Sequence, residues 1–419
     1  MRTWAKIGLL SFGGPTAQIA LMHKIIVEEK KWLDESRYLN ALNFCMLLPG
    51  PEAMQLATYS GWRLHGVRGG LAAGLLFVLP GAFVILALAA IYQAYGKVPL
   101  VETLFFGVKA AVTVIVIEAL MRIAKRALKG PEQWATGAAA FVAIFFLELP
   151  FPLVVLTAAL VGYFGGSSAA SAGPSLASVG VPVGSTLLTI LTWLLIWFVP
   201  LLLIALAFGG GHVLTQIGIF FSKMAMVTFG GAYAVLDYVR QDAVQHYRWI
   251  DSEDMTAGLG LAETTPGPLI LVTEFVGYLA AYRHGGGNGF LMGTLGAIVT
   301  VWATFAPCFL WIFAGAPYVE WLNGQPRLKS ALAAITAAVV GVILNLSIWF
   351  ALHIFFGVVK RHEIGILKVW TPELASLDWR AVAIAIVAGV ALLRLHYGIV
   401  TTLVLSCALA LALRLAGLG

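Results

Sequence analysis

Residues 43–53 read NFCMLLPGPEA, and residues 261–270 read LAETTPGPLI. Each stretch places a Pro-Gly-Pro triplet inside an apolar run, at Pro49–Pro51 and at Pro266–Pro268. Proline lacks a backbone N–H and disfavours helix in the residue before it, so a helix has to open at each triplet. Open backbone at membrane depth must be buried in protein or line a wet cavity. If the surrounding runs cross a bilayer, the sequence predicts two broken membrane helices.

The composition is that of a chain surrounded mostly by lipid. Of its 419 residues, 60% are hydrophobic and 11% are charged, whereas soluble domains carry about 25% charged residues. Apolar runs close to the roughly 20 residues that cross a bilayer recur, for example at residues 69–90, 187–208 and 328–356. They lack the two-residue alternation of barrel strands, so we expect an all-α polytopic membrane protein with about ten to thirteen membrane segments. The expected location is the bacterial inner membrane.

Charge and cysteine usage bear on partners and cofactors. The net charge of +6 fits Lys and Arg that collect in cytoplasmic loops, so nucleic acid is not an expected partner. The three cysteines, Cys45, Cys308 and Cys407, are widely separated and have no metal-ligand spacing. We therefore expect no metal and no cofactor, and a lipid bilayer as the main environment.

The chain contains an internal repeat. An offset of 217 residues superimposes Phe12–Gly14 on Phe229–Gly231, and Pro49–Pro51 on Pro266–Pro268. An insertion near Arg283 then shifts the offset to 227. Matches at the longer offset include Pro80 with Pro307, and Ala110–Val112 with Ala337–Val339. The repeat predicts three parts: a first copy at residues 1–164, a linker with one extra span at 165–211, and a second copy at 212–419.

The orientation of the two copies follows from the number of crossings. Six segments in the first copy and one in the linker make an odd number, which places the second copy upside down, as in many secondary transporters. The positive-inside rule does not decide the matter, because the loops near Arg126 and Lys360 are both basic. One re-entrant hairpin counted as a span would reverse the orientation.

The helix breaks are the candidate site. A half-helix that begins at proline presents free N–H groups and a positive dipole end, and both favour an anion. Paired glycines let backbone approach a ligand closely. The alternative is that proline and glycine only kink the helices, and that the lysines only reach for the headgroups. The candidate residues are Lys6, Gly13, Gly14, Pro15, Pro49, Gly50, Pro51, Glu52, Lys223, Gly230, Gly231, Glu263, Thr264, Thr265, Pro266, Gly267 and Pro268.

Two acidic residues beside the breaks are candidates for coupling to protons. Glu52 follows the first triplet, where a helix N-terminus favours a carboxylate, so we expect it to act mainly in capping. Glu263 precedes the second triplet and would not gain from the following dipole. Glu263→Gln is therefore expected to keep anion binding and to lose its pH dependence, whereas Glu52→Gln is expected to weaken folding.

The motifs resemble those of the chromate ion transporter family. The resemblance rests on residues 12–15, 43–53, 262–269 and 335–345 and covers nearly the whole chain except the linker and the final hairpin. Long members of that family are tandem duplications. The resemblance implies secondary transport of chromate, by export that gives chromate resistance, with sulfate as a competing oxyanion. Many members have glutamine before each triplet where this chain has Met46 and Glu263, which indicates a divergent branch.

Other functions remain open at this point. The chain can instead be an uptake or exchange carrier for sulfate or another tetrahedral oxyanion, and a homodimer is possible. An intramembrane enzyme is the alternative from a different class. It would need a metal-ligand cluster or a nucleophile beside a base, and the sequence shows no motif for either.

Overall fold

The computed structural model describes residues 1–12, 14–165, 183–229, 231–365 and 367–418. Most of them lie in helices. The α-helices are α1 (Arg2–Leu10), α2 (Gly14–His23), α3 (Glu35–Leu47), α4 (Glu52–Tyr95), α5 (Pro99–Ala127), α6 (Pro131–Phe145), α7 (Phe151–Gly165), α8 (Val183–Phe208), α9 (Val213–Val227), α10 (Ala232–Val239), α11 (Ser252–Thr264), α12 (Val272–His284), α13 (Gly289–Gly315), α14 (Val319–Asn323), α15 (Pro326–Phe355), α16 (Trp379–Gly389) and α17 (Ile399–Leu413).

Several helices have the length and composition of membrane spans. Within the described residues, six helices are long and apolar enough to cross a bilayer, and two shorter apolar helices, α7 and α9, accompany them. The six spans are α4, α5, α8, α13 with the turns after it, α15 and α17. The prediction of a helical, polytopic membrane protein is confirmed.

Within the described residues, a β-hairpin departs from the helical architecture. Strands β1 (Val359–Ile364) and β2 (Leu367–Pro372) pair antiparallel, with Val359 opposite Pro372. The expectation of helices throughout came from the apolar runs, and this charged segment lies outside them. Outside the hydrocarbon, unpaired strand edges can bond to water, so the constraint that forbids an open sheet in lipid does not apply.

The chain divides into two compact units, and each unit contains segments from both copies of the repeat. One unit comprises residues 1–90, 161–235 and 265–332. Within this unit α12 packs along α13, and α8 and α9 also pack on α13. The other unit comprises residues 91–160, 236–264 and 333–419, where α5 packs against α16 and α17.

Local geometry repeats along the chain at the 217-residue offset. Lys31 and Arg248 are both non-glycine residues with positive φ, at 53° and 54°. Each follows a π-helical segment, Lys24–Glu29 in the first copy and Arg240–His246 in the second. Asp34 and Asp251 then accept a hydrogen bond from the backbone N–H three residues later, both at 2.8 Å. Such agreement in backbone detail supports a true duplication.

In the unit that comprises residues 91–160, 236–264 and 333–419, the positions of the ends of α5 and α15 indicate how the two copies are oriented. These helices correspond at the 227-residue offset. The end of α5 leads directly into the start of α6. The hairpin after α15 instead lies at the other end of α6, where the Lys368 N–H donates to the Phe146 carbonyl and Arg361 pairs with Glu148 at 2.8 Å. The corresponding helix ends therefore lie at opposite ends of α6, as inverted copies require.

Candidate functional site

The first Pro-Gly-Pro triplet separates α3 from α4. Gly50 has φ +123°, a backbone conformation that L-residues rarely adopt. A Cβ at Gly50 would lie 2.8 Å from Cys308 Sγ and 2.8 Å from Gln55 Nε2. The Gln55 amide, fully buried, donates to the Pro49 carbonyl at 2.7 Å. Glycine is thus required here by backbone angle and by space.

The second triplet separates α11 from the 3-10 turn Leu269–Leu271, which leads into α12. Gly267 has φ +90°. Its carbonyl accepts a 2.6 Å hydrogen bond from the side-chain amide of Gln18, which lies on α2 of the first copy. A Cβ added to Gly81 would collide with the Pro266 carbonyl oxygen, so α4 approaches this break closely.

The two triplets make reciprocal hydrogen bonds across the repeat. The Gly50 N–H donates to the Thr228 carbonyl at 2.8 Å, and the Gly267 N–H donates to the Ser11 carbonyl at 2.9 Å. Since Ser11 and Thr228 are themselves 217 residues apart, each triplet bonds to the helix end that precedes Phe-Gly-Gly in the other copy. Contacts of the form i to j and j to i are those of a two-fold arrangement. All four segments belong to the same compact unit.

Helices α1 and α9, whose C-cap residues are Ser11 and Thr228, end with the same hydrogen-bond pattern. Ser11 Oγ donates to the Ile7 carbonyl at 2.6 Å, and Thr228 Oγ1 donates to the Met224 carbonyl at 2.7 Å. A hydroxyl that bonds four residues back satisfies a carbonyl of the last turn. The backbone carbonyls of Ser11 and Thr228 can then bind the opposite triplet.

Glycines follow both helix ends. Gly14 and Gly231 have φ +76° and +100°. A Cβ built at either position would meet nothing within 4 Å, so both glycines face open space. The other glycine of each pair, Gly13 or Gly230, lies outside the described residues. Pro15 occupies the first turn of α2.

The lysines lie apart from this bonding. Lys6 is exposed on α1. Lys223 is exposed on α9 and lines an apolar groove with Trp197 and Trp311. Their place among the candidate site residues stays a prediction.

The acidic and hydroxyl residues beside the breaks occupy different environments. Glu52 is half-buried in the first turn of α4. Glu263 is 2% exposed in the last turn of α11, where the helix dipole disfavours a negative charge. Thr264 Oγ1 donates to the Leu261 carbonyl at 2.8 Å, and Thr265 is buried.

Two buried glutamines also hold the breaks, and the sequence did not single them out. Gln18 Nε2 donates to the Ser11 carbonyl at 3.2 Å as well as to Gly267, so one amide links the two types of break. Gln55 serves Pro49. Their signal in the sequence is a lone amide in an apolar helix close to a break.

A second polar cluster lies in the other compact unit. Asp237 is fully buried and accepts hydrogen bonds from Arg240, Gln241 and Asn345. Arg240 pairs with this carboxylate at 2.8 Å and lies 5.0 Å from the ring centroid of Trp349. The cluster borders a cavity of about 670 Å3, which Arg248, His246 and Arg361 also line. The hydrogen bond and the ion pair with Asp237 hold the Arg240 side chain in place.

The helix breaks present backbone donors of the kind that bind anions. Among the residues that the structure describes, no group of three or more His, Cys, Asp and Glu is placed to hold a metal ion. The broken helices instead present first-turn N–H groups, which have no acceptor within their own helix. Several half-helix ends together can bind a dianion without placing full positive charges in lipid.

Comparisons with known proteins show which family the chain resembles. A family model described as chromate transporter matches residues 1–163 and 215–412. A chromate transport protein of Cupriavidus metallidurans is 29% identical over 81% of this chain and 78% of its own length. One from Pseudomonas aeruginosa is 32% identical over 81% and 77%, and an uncharacterized transporter of Methanocaldococcus jannaschii is 25% identical over 84% and 83%. No solved structure matches the chain.

Proposed function

Because the chain belongs to the chromate transporter family, we propose that it exports chromate across the bacterial inner membrane through the site at its paired helix breaks. The observation that carries the site is the reciprocal bonding of Gly50 to Thr228 and of Gly267 to Ser11. These hydrogen bonds connect the break in one copy to the break in the other. A substitution at one break is therefore expected to alter the structure of both. The relatives are named transport proteins, which agrees with a carrier and not an enzyme.

The chromate is held by backbone donors at the ends of the half-helices. The Gly50 and Gly267 N–H groups are engaged in bonds to carbonyls, so they position the breaks and do not bind the ion. The donors are the first-turn N–H groups after Gly14, Pro51, Gly231 and Pro268, except the Leu271 N–H, which donates to the Pro268 carbonyl. A Cβ added at Gly14 or Gly231 would meet no atom within 4 Å, which supports placing the ion beside these glycines.

Sulfate is the competing substrate. Chromate and sulfate are both tetrahedral dianions, and backbone N–H groups recognise charge and shape without distinguishing the central atom. Selectivity between the two must come from the size of the open space at the breaks. We expect sulfate to inhibit chromate transport, whereas a planar monoanion such as nitrate inhibits it less.

Export is the direction that the membrane potential favours. Moving one elementary charge across 100 mV is worth about 2.3 kcal/mol. A dianion that leaves an interior at negative potential gains about twice this amount, so export needs little additional driving force. Exchange for protons adds to it, and the buried carboxyls near the breaks are the groups able to carry them.

Chromate accumulation in cells tests the direction. Cells that express the chain are incubated with labelled chromate, and cell-associated label is compared with that of cells expressing Gly267→Leu. Export predicts less label with the wild type than with the variant. More label with the wild type would instead establish uptake.

A further inference from the structure

Helices α12 and α13 form a close antiparallel pair. A Cβ on Gly277 would collide with Thr300 Oγ1, and a Cβ on Gly296 would collide with Ala281. The two contacts fix the register: position 281 lies opposite 296, and 277 opposite 300. One turn further along, residues 273 and 274 reach the level of residue 304. Residue 304 is about 22 Å along α13 at 1.5 Å per residue, deep within a candidate membrane span.

An isolated carboxyl group occupies this level. Glu274 is 3% exposed and Thr304 is 1% exposed. Within the part of the chain that the structure describes, Glu274 Oε2 and Thr304 Oγ1 have no hydrogen-bond partner. An ionised carboxylate in such a place would be costly, because burial removes most of the solvation that a charge has in water. We therefore expect the Glu274 carboxyl to be protonated, and so neutral, in the resting protein.

Helices α9 and α13 and the 3-10 turn before α12 offer Glu274 little charge. The titratable or charged group on α13 is Cys308, whose thiol bonds to the Thr304 carbonyl, and that on α9 is the exposed Lys223. The 3-10 turn before α12 has none. On α12 itself the others are Tyr278, Tyr282, Arg283 and His284, the last two in its final turn. No cation on these elements is placed to hold the carboxylate permanently ionised.

The first copy lacks this polar pair. The residue that corresponds to Glu274 is Ala57, and the residue that corresponds to Thr304 is Phe77. Both are fully buried. The fold therefore packs these positions with apolar side chains in one half, so the carboxyl in the other half is not required for packing.

We propose that Glu274 is a proton-binding site that couples proton movement to anion transport, an inference that rests on the proposed function. The acid releases its proton when water reaches Glu274 Oε2 from one side of the membrane. The Thr304 hydroxyl then donates a hydrogen bond to the carboxylate until a proton returns from the other side.

Chromate accumulation under a pH gradient tests the coupling. Purified protein in proteoliposomes is given labelled chromate with and without a gradient of about one pH unit. With one proton moved per chromate, the gradient changes the wild-type accumulation ratio about tenfold. Glu274→Gln is expected to remove this dependence, and Glu274→Asp to retain it. Glu253→Gln, at an exposed carboxylate, is the control that keeps it.

The outcomes separate this inference from the proposed function. The inference would be overturned if chromate accumulation by the wild type and by Glu274→Gln responded equally to the pH gradient. It would also be overturned if Glu263→Gln alone lost the response. A sodium dependence in place of the proton dependence would also overturn it. If the wild type transported no chromate at all, the proposed function would be contradicted instead.

Infrared spectroscopy tests protonation without transport. At neutral pH, exposed carboxyls are ionised, so the wild type is expected to show a protonated-carboxyl band that Glu274→Gln lacks. An identical band in both proteins would show that Glu274 is not the neutral acid, and would overturn the inference even if no anion were carried.

Discussion

At the scale of single residues, the glycine of each triplet is the position least tolerant of change. Replacing Gly50 or Gly267 with Leu forces an L-residue into the left-handed region, at a cost of roughly 1–2 kcal/mol. At Gly50 it also drives a side chain into Cys308 and Gln55. We expect both variants to insert in the membrane and to lose chromate flux in proteoliposomes. Gly286→Ala has the same type of backbone strain, at φ +70°, but faces open space, so it should keep its flux.

The buried ion pair sets a second expectation at this scale. Asp237→Ala leaves Arg240 buried without its partner, which typically destabilises by about 3–5 kcal/mol. The double variant Asp237→Ala/Arg240→Ala should be less destabilised than Asp237→Ala alone, measured by thermal unfolding in detergent. Glu373→Ala breaks an exposed pair with Lys360 and should cost at most about 1 kcal/mol. A Glu373→Ala loss as large as that of Asp237→Ala would contradict the account.

At the scale of elements, the sequence predicted what depends on local chemistry. The breaks at Pro49–Pro51 and Pro266–Pro268 follow from proline and glycine alone, and the structure opens the helices there. The contact of Gln18 with Gly267 joins residues 249 positions apart, and that of Asn345 with Asp237 joins residues 108 apart. No local pattern encodes such partners, so the sequence could mark the break but not what holds it.

Gln18 supplies the prediction at this scale. Gln18→Leu removes the donor to two buried carbonyls, and an unpaired buried polar group costs about 1–3 kcal/mol. We expect lower chromate flux and a lower unfolding temperature. Gln216→Leu is the matched control, since Gln216 bonds to a carbonyl near the surface. Equal effects of the two substitutions would show that Gln18 does not support the break.

At the scale of the whole molecule, inversion of the copies makes a prediction about sidedness. Lys129 lies in the loop after α5, and His362 lies in the hairpin after α15; both are exposed. A cysteine introduced at one position should react with a membrane-impermeant maleimide from outside intact cells, and a cysteine at the other should react only after the membrane is opened. The native Cys45 and Cys308 are buried, and the partly exposed Cys407 is first replaced with Ser to remove its background. Labelling of both positions from the same side would rule out inversion of these segments.

The most direct test of the transport assignment is uptake of labelled chromate by proteoliposomes that contain the purified chain. We expect saturable uptake above that of empty liposomes, inhibited by unlabelled sulfate more than by nitrate and lost in the double variant Gly50→Leu/Gly267→Leu. Uptake no greater than in empty liposomes, or uptake that the double variant retains in full, would contradict it.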